Sequence, residues 1–165
     1  KEKIEECLQQ ERQQLVLHGT IFRRLDHLPR EIGQLQLLTS LDISGNGFTE
    51  LPLVVTDLPL LESLSLDGNL LKFLPAEVCS LCRLRKLTCR DNRLHTIPPN
   101  VHELISLDHL DLRNNQLEKL PLTLGLFHTF SMTMVQVQPL PLCDPPALAP
   151  TDQGHAASPE EGGGG

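Results

Sequence analysis

The sequence predicts an α/β repeat solenoid, built from short parallel strands that stack through successive turns of the chain. Two observations predict it: a dipeptide of leucine or isoleucine followed by proline recurs every 23 residues, and one apolar pattern stands at the same place in each interval. The dipeptides begin at Leu28, Leu51, Leu74, Ile97 and Leu120. A unit this short cannot bury its own apolar face, so we expect the units to stack.

The apolar pattern is Leu-x-x-Leu-x-Leu-x-x-Asn-x-Leu, in which other apolar residues replace some of the leucines. In the first unit Leu41 and Ile43 are two residues apart, so a strand would turn both toward the core, and Ser40 and Asp42 toward solvent. Four complete units occupy residues 28–119. The pattern reads Leu38, Leu41, Ile43, Asn46, Phe48; Leu61, Leu64, Leu66, Asn69, Leu71; Leu84, Leu87, Cys89, Asn92, Leu94; and Leu107, Leu110, Leu112, Asn115, Leu117.

The asparagines of this pattern, Asn46, Asn69, Asn92 and Asn115, stand where each predicted strand ends. An amide side chain both donates and accepts hydrogen bonds, so we interpret these residues as structural partners of buried backbone groups. After each dipeptide, apolar residues three apart predict short turns or brief helices on the convex side. Proline suits a first helical turn because its missing N–H is not needed there.

These units resemble the leucine-rich repeat family, in particular its 23-residue intracellular type, seen in Ras-pathway scaffolds and in cell-polarity scaffolds of the erbin and scribble kind. The resemblance covers residues 28–119. It implies a curved solenoid with a parallel β-sheet on its concave face, and an activity of binding another protein.

The N-terminal region, residues 1–27, is predicted to hold a capping helix and a degenerate first repeat. The helix is predicted over residues 1–14, where it would cover the open end of the core. Docking of this helix on another protein is the alternative. One helical stripe contains Ile4, Cys7, Leu8 and Leu15.

The C-terminal region departs from the repeat as well. Residues 120–135 are predicted to form a partial repeat that contributes Phe127 and Phe130 to the core. Residues 136–165 carry six prolines, four acidic residues and no lysine or arginine, which predicts a disordered Pro/Gly-rich acidic tail. Since the chain starts at Lys1 rather than at methionine, we interpret it as an excerpt of a longer protein.

Composition and cysteine usage favour a cytoplasmic protein, with the nucleus as the alternative. The chain has 165 residues, of which 39% are hydrophobic, and it contains no apolar run long enough for a membrane span. Its five cysteines do not cluster at the ends, as they do in secreted members of the family, and there is no Asn-x-Ser/Thr sequon.

The sequence predicts neither an enzyme nor a cofactor. No histidine stands in a motif with a serine, cysteine or carboxylate. Cys79 and Cys82 form a lone Cys-x-x-Cys without a second ligand pair at zinc spacing, so no metal site is predicted. His102 and His109 fall in a turn and a strand of one repeat, which should face opposite sides.

The concave face of the predicted sheet is the candidate site for a protein partner. The repeats fix the register of its side chains, and the later half of the face collects Lys86, Arg90 and Arg113. Clustered cations bind carboxylates or phosphates, so the expected partner is an acidic or phosphorylated protein. The candidate residues are Asp42, Ser65, Asp67, Lys86, Thr88, Arg90, His109, Asp111 and Arg113.

A second candidate surface consists of apolar residues of the second repeat, at positions that are polar in most other units. Exposed apolar patches mark interfaces, although cover by neighbouring repeats would explain the same residues. This second patch contains Leu53, Val54, Leu60, Leu70 and Phe73.

The predicted function is that of a scaffold or adaptor that binds a protein partner. The alternative is a substrate-recognition arm of a larger enzyme, such as a ubiquitin ligase, kinase or phosphatase. Nucleic-acid binding through the basic half of the face is a lesser alternative. The net charge of −7 opposes it, and the chain has no tryptophan or tyrosine on which bases would stack.

Overall fold

The computed structural model describes residues 2–19, 25, 27–126 and 135–136, and within them it contains a six-stranded parallel sheet. The strands follow one another in chain order from β1 to β6, so each repeat adds its strand beside the previous one. This arrangement confirms the predicted repeat solenoid. The strands are β1 (Gln14–Val16), β2 (Ser40–Asp42), β3 (Ser63–Ser65), β4 (Lys86–Thr88), β5 (His109–Asp111) and β6 (Val135–Gln136).

The register of the sheet repeats the spacing of the sequence. Leu41 pairs with Leu64, Leu64 with Leu87 and Leu87 with Leu110, each 23 residues further along the chain. Leu15 of β1 pairs with Leu41 across 26 residues, which matches the longer spacing expected for a degenerate first repeat. These five leucines form one buried row along the middle of the core.

Short 3-10 helices cover the side of the core opposite the sheet, as the sequence predicted. Their ranges are Arg30–Gln34, Leu53–Asp57, Ala76–Ser80, Val101–Glu103 and Leu122–Leu126. Proline stands at the N-cap of the first three, with φ between −62° and −67°, values that its ring fixes in advance. Ile32, Val55 and Val78 turn inward from these helices and are almost completely buried.

The predicted asparagine ladder is present in the core. Asn69 donates from Nδ2 to the carbonyl oxygens of Leu66 and Ile43, over 2.9 and 3.2 Å. Its Oδ1 accepts from the backbone N–H groups of Asn46 and Phe48, over 3.1 Å each. Since two of these groups belong to the preceding repeat, each asparagine joins its own turn to its neighbour.

A left-handed turn ends each of the four central strands. The turn residues are Gly45, Gly68, Asp91 and Asn114, with φ of 70°, 64°, 53° and 57°. Glycine, aspartate and asparagine are the residues that tolerate this conformation best. The turn therefore sends every repeat out of the sheet at the same point, which keeps the side chains of the strands in register.

The N-terminal helix α1 covers Glu2–Gln9, so the prediction of a helix over residues 1–14 was too long. The chain reverses after Gln9, where Glu11 has a φ of 48°, and Leu15 belongs to β1 rather than to the helical stripe. Ile4 and Cys7 are 2% and 1% exposed and join the core beside β1, at the end of the sheet. Thus α1 caps its own solenoid.

At the other end, β6 pairs with β5, with Leu110 opposite Val135, so the partial repeat adds one strand to the sheet. The predicted core residues Phe127 and Phe130 and the tail beyond residue 136 lie outside the described residues, as does Phe22 of the degenerate repeat. Within the described ranges, no helix has the length and apolar character needed to cross a bilayer.

Candidate functional site

The side chains that point away from the core form what we call the concave face, the outward surface of β1 to β5 and of the residues that directly follow each strand. The strand register and the backbone hydrogen bonds after each strand arrange this surface in three columns. All nine candidate residues lie on it. The columns are Ser40, Ser63, Lys86, His109; then Asp42, Ser65, Thr88, Asp111; then Ser44, Asp67, Arg90, Arg113.

Asp111 is the most buried charged residue of the concave face, with 2% of its surface exposed. Arg113 binds it in a bidentate manner, with Nε 3.0 Å from Oδ1 and Nη2 2.7 Å from Oδ2. Burial alone would raise the pKa of Asp111, but the hydrogen bonds and charge of Arg113, together with the charge of Arg90, lower it below its usual value. Asp111 is therefore held ionised between two arginines.

The two arginines differ in what they leave for a ligand. Arg113 uses two of its nitrogens on Asp111, whereas Arg90 approaches Asp111 only with Nε, at 3.7 Å from Oδ2. No terminal nitrogen of Arg90 has a hydrogen-bond partner in the described part of the chain, and 41% of its side chain is exposed. The fork of Arg90 is therefore open to a partner, while that of Arg113 is engaged.

Lys86 is the second open cation of the concave face. Its side chain is exposed, and it forms no ion pair with any residue that the structure describes. The basic half predicted from the sequence thus reduces to Lys86 and Arg90, because Arg113 is neutralised by Asp111. Asp111 and Arg113 are two residues apart in one strand direction, and this spacing was the sequence signal for their pairing.

The early half of the concave face is crosslinked by polar contacts that the sequence did not predict. The Oγ of Ser44 donates to Oδ1 of Asp42 over 2.6 Å, and Nδ1 of His18 lies 2.6 Å from the same Oγ. A hydroxyl has one proton, so Nδ1 of His18 must be the donor to Ser44. Alignment of Leu15 with Leu41 would have placed His18 beside Ser44 and exposed this contact.

The middle of the concave face links β3 to β4. Thr88 donates from Oγ1 to Oγ of Ser65 over 3.3 Å, and Oδ1 of Asp67 accepts from the backbone N–H of Arg90 over 2.7 Å. Thr88 is 7% exposed, so it supports the face more than it offers a contact. These bonds hold the backbone around Lys86 and Arg90 in place before any ligand arrives.

Further arginines stand at the two edges of the sheet beside β4. Arg85 forms an exposed ion pair with Asp108, with Nη2 2.8 Å from Oδ2. It lines a shallow depression of about 380 Å³ together with Glu62, Arg83, Ser106 and Asp108. Arg93 is exposed at the opposite edge, beyond the turn that follows β4.

The second patch is spread over three sides of the molecule. Leu53 and Val54 lie in a 3-10 helix behind the sheet, whereas Leu60 precedes β3 and Leu70 follows it, so they stand at opposite edges. Leu53 and Phe73 are 54% and 46% exposed, and the other three residues are partly buried. The structure does not bring these five residues together on one surface.

The described cysteines are free thiols with different environments. Cys89 replaces the leucine of other repeats, is fully buried, and burial raises the pKa of its thiol. Burial likewise raises the pKa of Cys79 to about 11, whereas Cys82 is exposed. Among the described residues, no group of three or more histidine, cysteine or carboxylate side chains is placed to hold a metal ion.

The parallel sheet, the row of leucines and the asparagine ladder define a repeat-solenoid protein whose open surface is a polar sheet face. The family model for the Leucine Rich Repeat matches residues 37–58 and 106–127. The chain belongs to the leucine-rich repeat family.

Solved structures of this family are similar to the chain. A leucine-rich repeat protein of Leptospira interrogans is 31% identical with a TM-score of 0.63, over 72% of this chain and 31% of that one. InlP of Listeria monocytogenes is 32% identical with a TM-score of 0.56, over 70% and 30%. The BIR3–SERK2 complex from Arabidopsis thaliana gives 30% identity and a TM-score of 0.56, over 72% and 64%.

The chain spans less than a third of the length of the first two of these proteins. No curated protein sequence matches it.

Proposed function

We propose that this protein is a protein-binding module of the scaffold or adaptor kind, and that its concave face receives the partner. One observation carries the proposal: an in-register parallel sheet exposes polar columns in which Lys86 and Arg90 have no internal partner for their charged ends. A surface whose backbone is fixed by hydrogen bonds loses little conformational entropy when a ligand binds, which favours recognition.

The comparisons support this function at the level of the family. The similar structure from Arabidopsis thaliana is a complex of BIR3 with SERK2. Leucine-rich repeats commonly serve as protein-interaction modules, and the concave sheet is the largest regular surface that stacked repeats create. A cytoplasmic setting and a role in signalling belong to the proposal and rest on the sequence.

The chemistry of Lys86 and Arg90 favours an anionic partner. Arginine binds a carboxylate or phosphate with two parallel hydrogen bonds, and the neighbouring lysine adds a point charge. An acidic or phosphorylated protein segment meets both requirements. Nucleic acid is a weaker fit, because Arg85 and Arg113 are already paired with Asp108 and Asp111 and the net charge of −7 repels a polyanion.

The experiment that tests the proposal is partner capture from cell lysate, with mass-spectrometric identification and direct titration of each purified partner. The test variant carries Ser40→Tyr and Ser63→Tyr, which place bulky side chains on the concave face at positions where tyrosine suits a strand. The matched control carries Arg30→Tyr and Glu77→Tyr in exposed 3-10 helices on the convex side, without changing the net charge.

We expect the concave variant to lose the partners that the unmodified protein and the convex variant both retain. Circular dichroism and urea unfolding verify that both variants are folded. Retention of the same partners at unchanged affinity by the concave variant would contradict the proposal, and loss in the convex variant alone would move the site to the helices.

A further inference from the structure

One stretch of the third repeat concentrates positive charge. Residues 83–93 contain five cationic residues and a single acidic one, Asp91. The equivalent stretch of the second repeat, residues 60–70, has two acidic residues and no cation, and that of the fourth, residues 106–116, has two acidic residues and one cation. The five cations, which we call the basic band, are Arg83, Arg85, Lys86, Arg90 and Arg93.

The basic band runs along β4, from one edge of the sheet to the other. Arg83 and Arg85 stand at the edge where β4 begins, Lys86 and Arg90 lie on the concave face, and Arg93 follows the turn. The ladder continues past Thr88, because Cys89 donates to the carbonyl of Asp111 over 2.8 Å. At roughly 3.3 Å per residue, Lys86 and Arg90 are about 13 Å apart along the strand.

Carboxylates flank the basic band on both neighbouring strands. Glu62 and Asp67 stand on the side of β3, and Asp108 and Asp111 on the side of β5. Strands are about 4.8 Å apart, so an anionic segment that crossed the sheet would meet these carboxylates after one strand spacing. A segment that follows β4 meets cations along its whole length. The charge pattern therefore selects the direction in which an anionic chain can bind.

We propose that the partner presents an extended acidic segment that lies along β4, with two anionic side chains about four residues apart, one at Lys86 and one at Arg90. An extended peptide rises by the same distance per residue as the strand beneath it, so this spacing matches that of the two open cations. The inference rests on the proposed function and specifies the charge, direction and spacing of the ligand.

The test uses short synthetic peptides and amide chemical shifts of the full chain. Nine-residue peptides of glycine, serine and threonine carry two glutamates, placed either four residues apart or next to each other, so that the net charge is equal. Versions with phosphoserine in place of glutamate form a second arm. A single-stranded oligonucleotide of equal charge is titrated in parallel at physiological salt.

We expect the peptide with the wider spacing to bind more tightly than its control and to shift amides mainly within residues 83–93. A Lys86→Gln, Arg90→Gln variant should bind it about tenfold more weakly, because two charge-assisted contacts are lost. The charge-matched Arg30→Gln, Lys119→Gln variant changes two exposed cations off the concave face and should bind normally.

Equal affinity of the two peptides, absence of binding, or shifts that follow a column through Ser40, Ser63 and His109 would overturn the proposal. Tighter binding of the oligonucleotide would overturn it in favour of nucleic acid. If captured partners are lost with Ser40→Tyr and Ser63→Tyr but kept by the Lys86→Gln, Arg90→Gln variant, the basic band is refuted and the concave site stands. If neither variant loses them, both proposals fail.

Discussion

Asn69 illustrates how single residues hold this solenoid together. Its side chain satisfies four backbone groups, and those of Ile43, Asn46 and Phe48 belong to the preceding repeat. The repeat period made this role predictable from sequence, because the residue recurs at one point of every unit. The contacts of Asp111 were not predictable to the same degree, since they depend on the side-chain conformations of Arg90 and Arg113.

Replacement of Asn69 by alanine should lower the free energy of unfolding by about 3 kcal/mol, because buried backbone donors and acceptors lose their partners. Urea unfolding followed by circular dichroism measures this change. Gln116→Ala, at an exposed position, is the control and should cost little. A loss for Asn69→Ala no larger than for the control would contradict the structural role of the ladder.

Asp111 should make stability sensitive to acid. Its pKa is lowered in the folded protein, so the stabilisation is complete above the unfolded pKa of about 4 and is lost as pH falls through the folded value. An Asp111→Asn variant should therefore lose less stability than the unmodified protein when the pH is lowered below about 4. Unfolding curves at several pH values measure this, and parallel pH dependences would refute it.

Among the elements, the strands followed from sequence more directly than the N-terminal helix did. Alternation of apolar residues and the 23-residue period place β2 to β5 without ambiguity, since a slip by one residue would expose every leucine. The helix was predicted too long because Leu15 continues its apolar stripe. Periodicity alone does not reveal the reversal at Glu11, which is neither glycine nor asparagine.

The helix α1 should contribute to stability as a cap. Ile4 is 2% exposed, so Ile4→Ala should lower the free energy of unfolding by about 2 to 4 kcal/mol through lost burial and a residual cavity. Glu5→Ala, on the exposed side of the same helix, is the matched control. Equal stability of the two variants in urea would mean that α1 does not close the core.

At the scale of the whole molecule, charge rather than shape distinguishes the repeats. The stacked units are nearly identical in backbone, but the third repeat carries the basic band and its neighbours carry carboxylates. The sequence predicted which residues share the concave face, because the register follows from the repeat. It did not predict that Lys86 and Arg90 alone would be open, since pairing within the face depends on distances that only the structure supplies.

The central claim is that a protein partner covers the concave face, and lysine acetylation of the complex tests it most directly. Lys86 lies on that face, whereas Lys72 and Lys119 are exposed elsewhere and serve as internal controls. With a captured partner bound, Lys86 should be acetylated several-fold more slowly than in the free protein, while Lys72 and Lys119 react at unchanged rates. An unchanged rate at Lys86 together with protection of Lys72 or Lys119 would contradict the account.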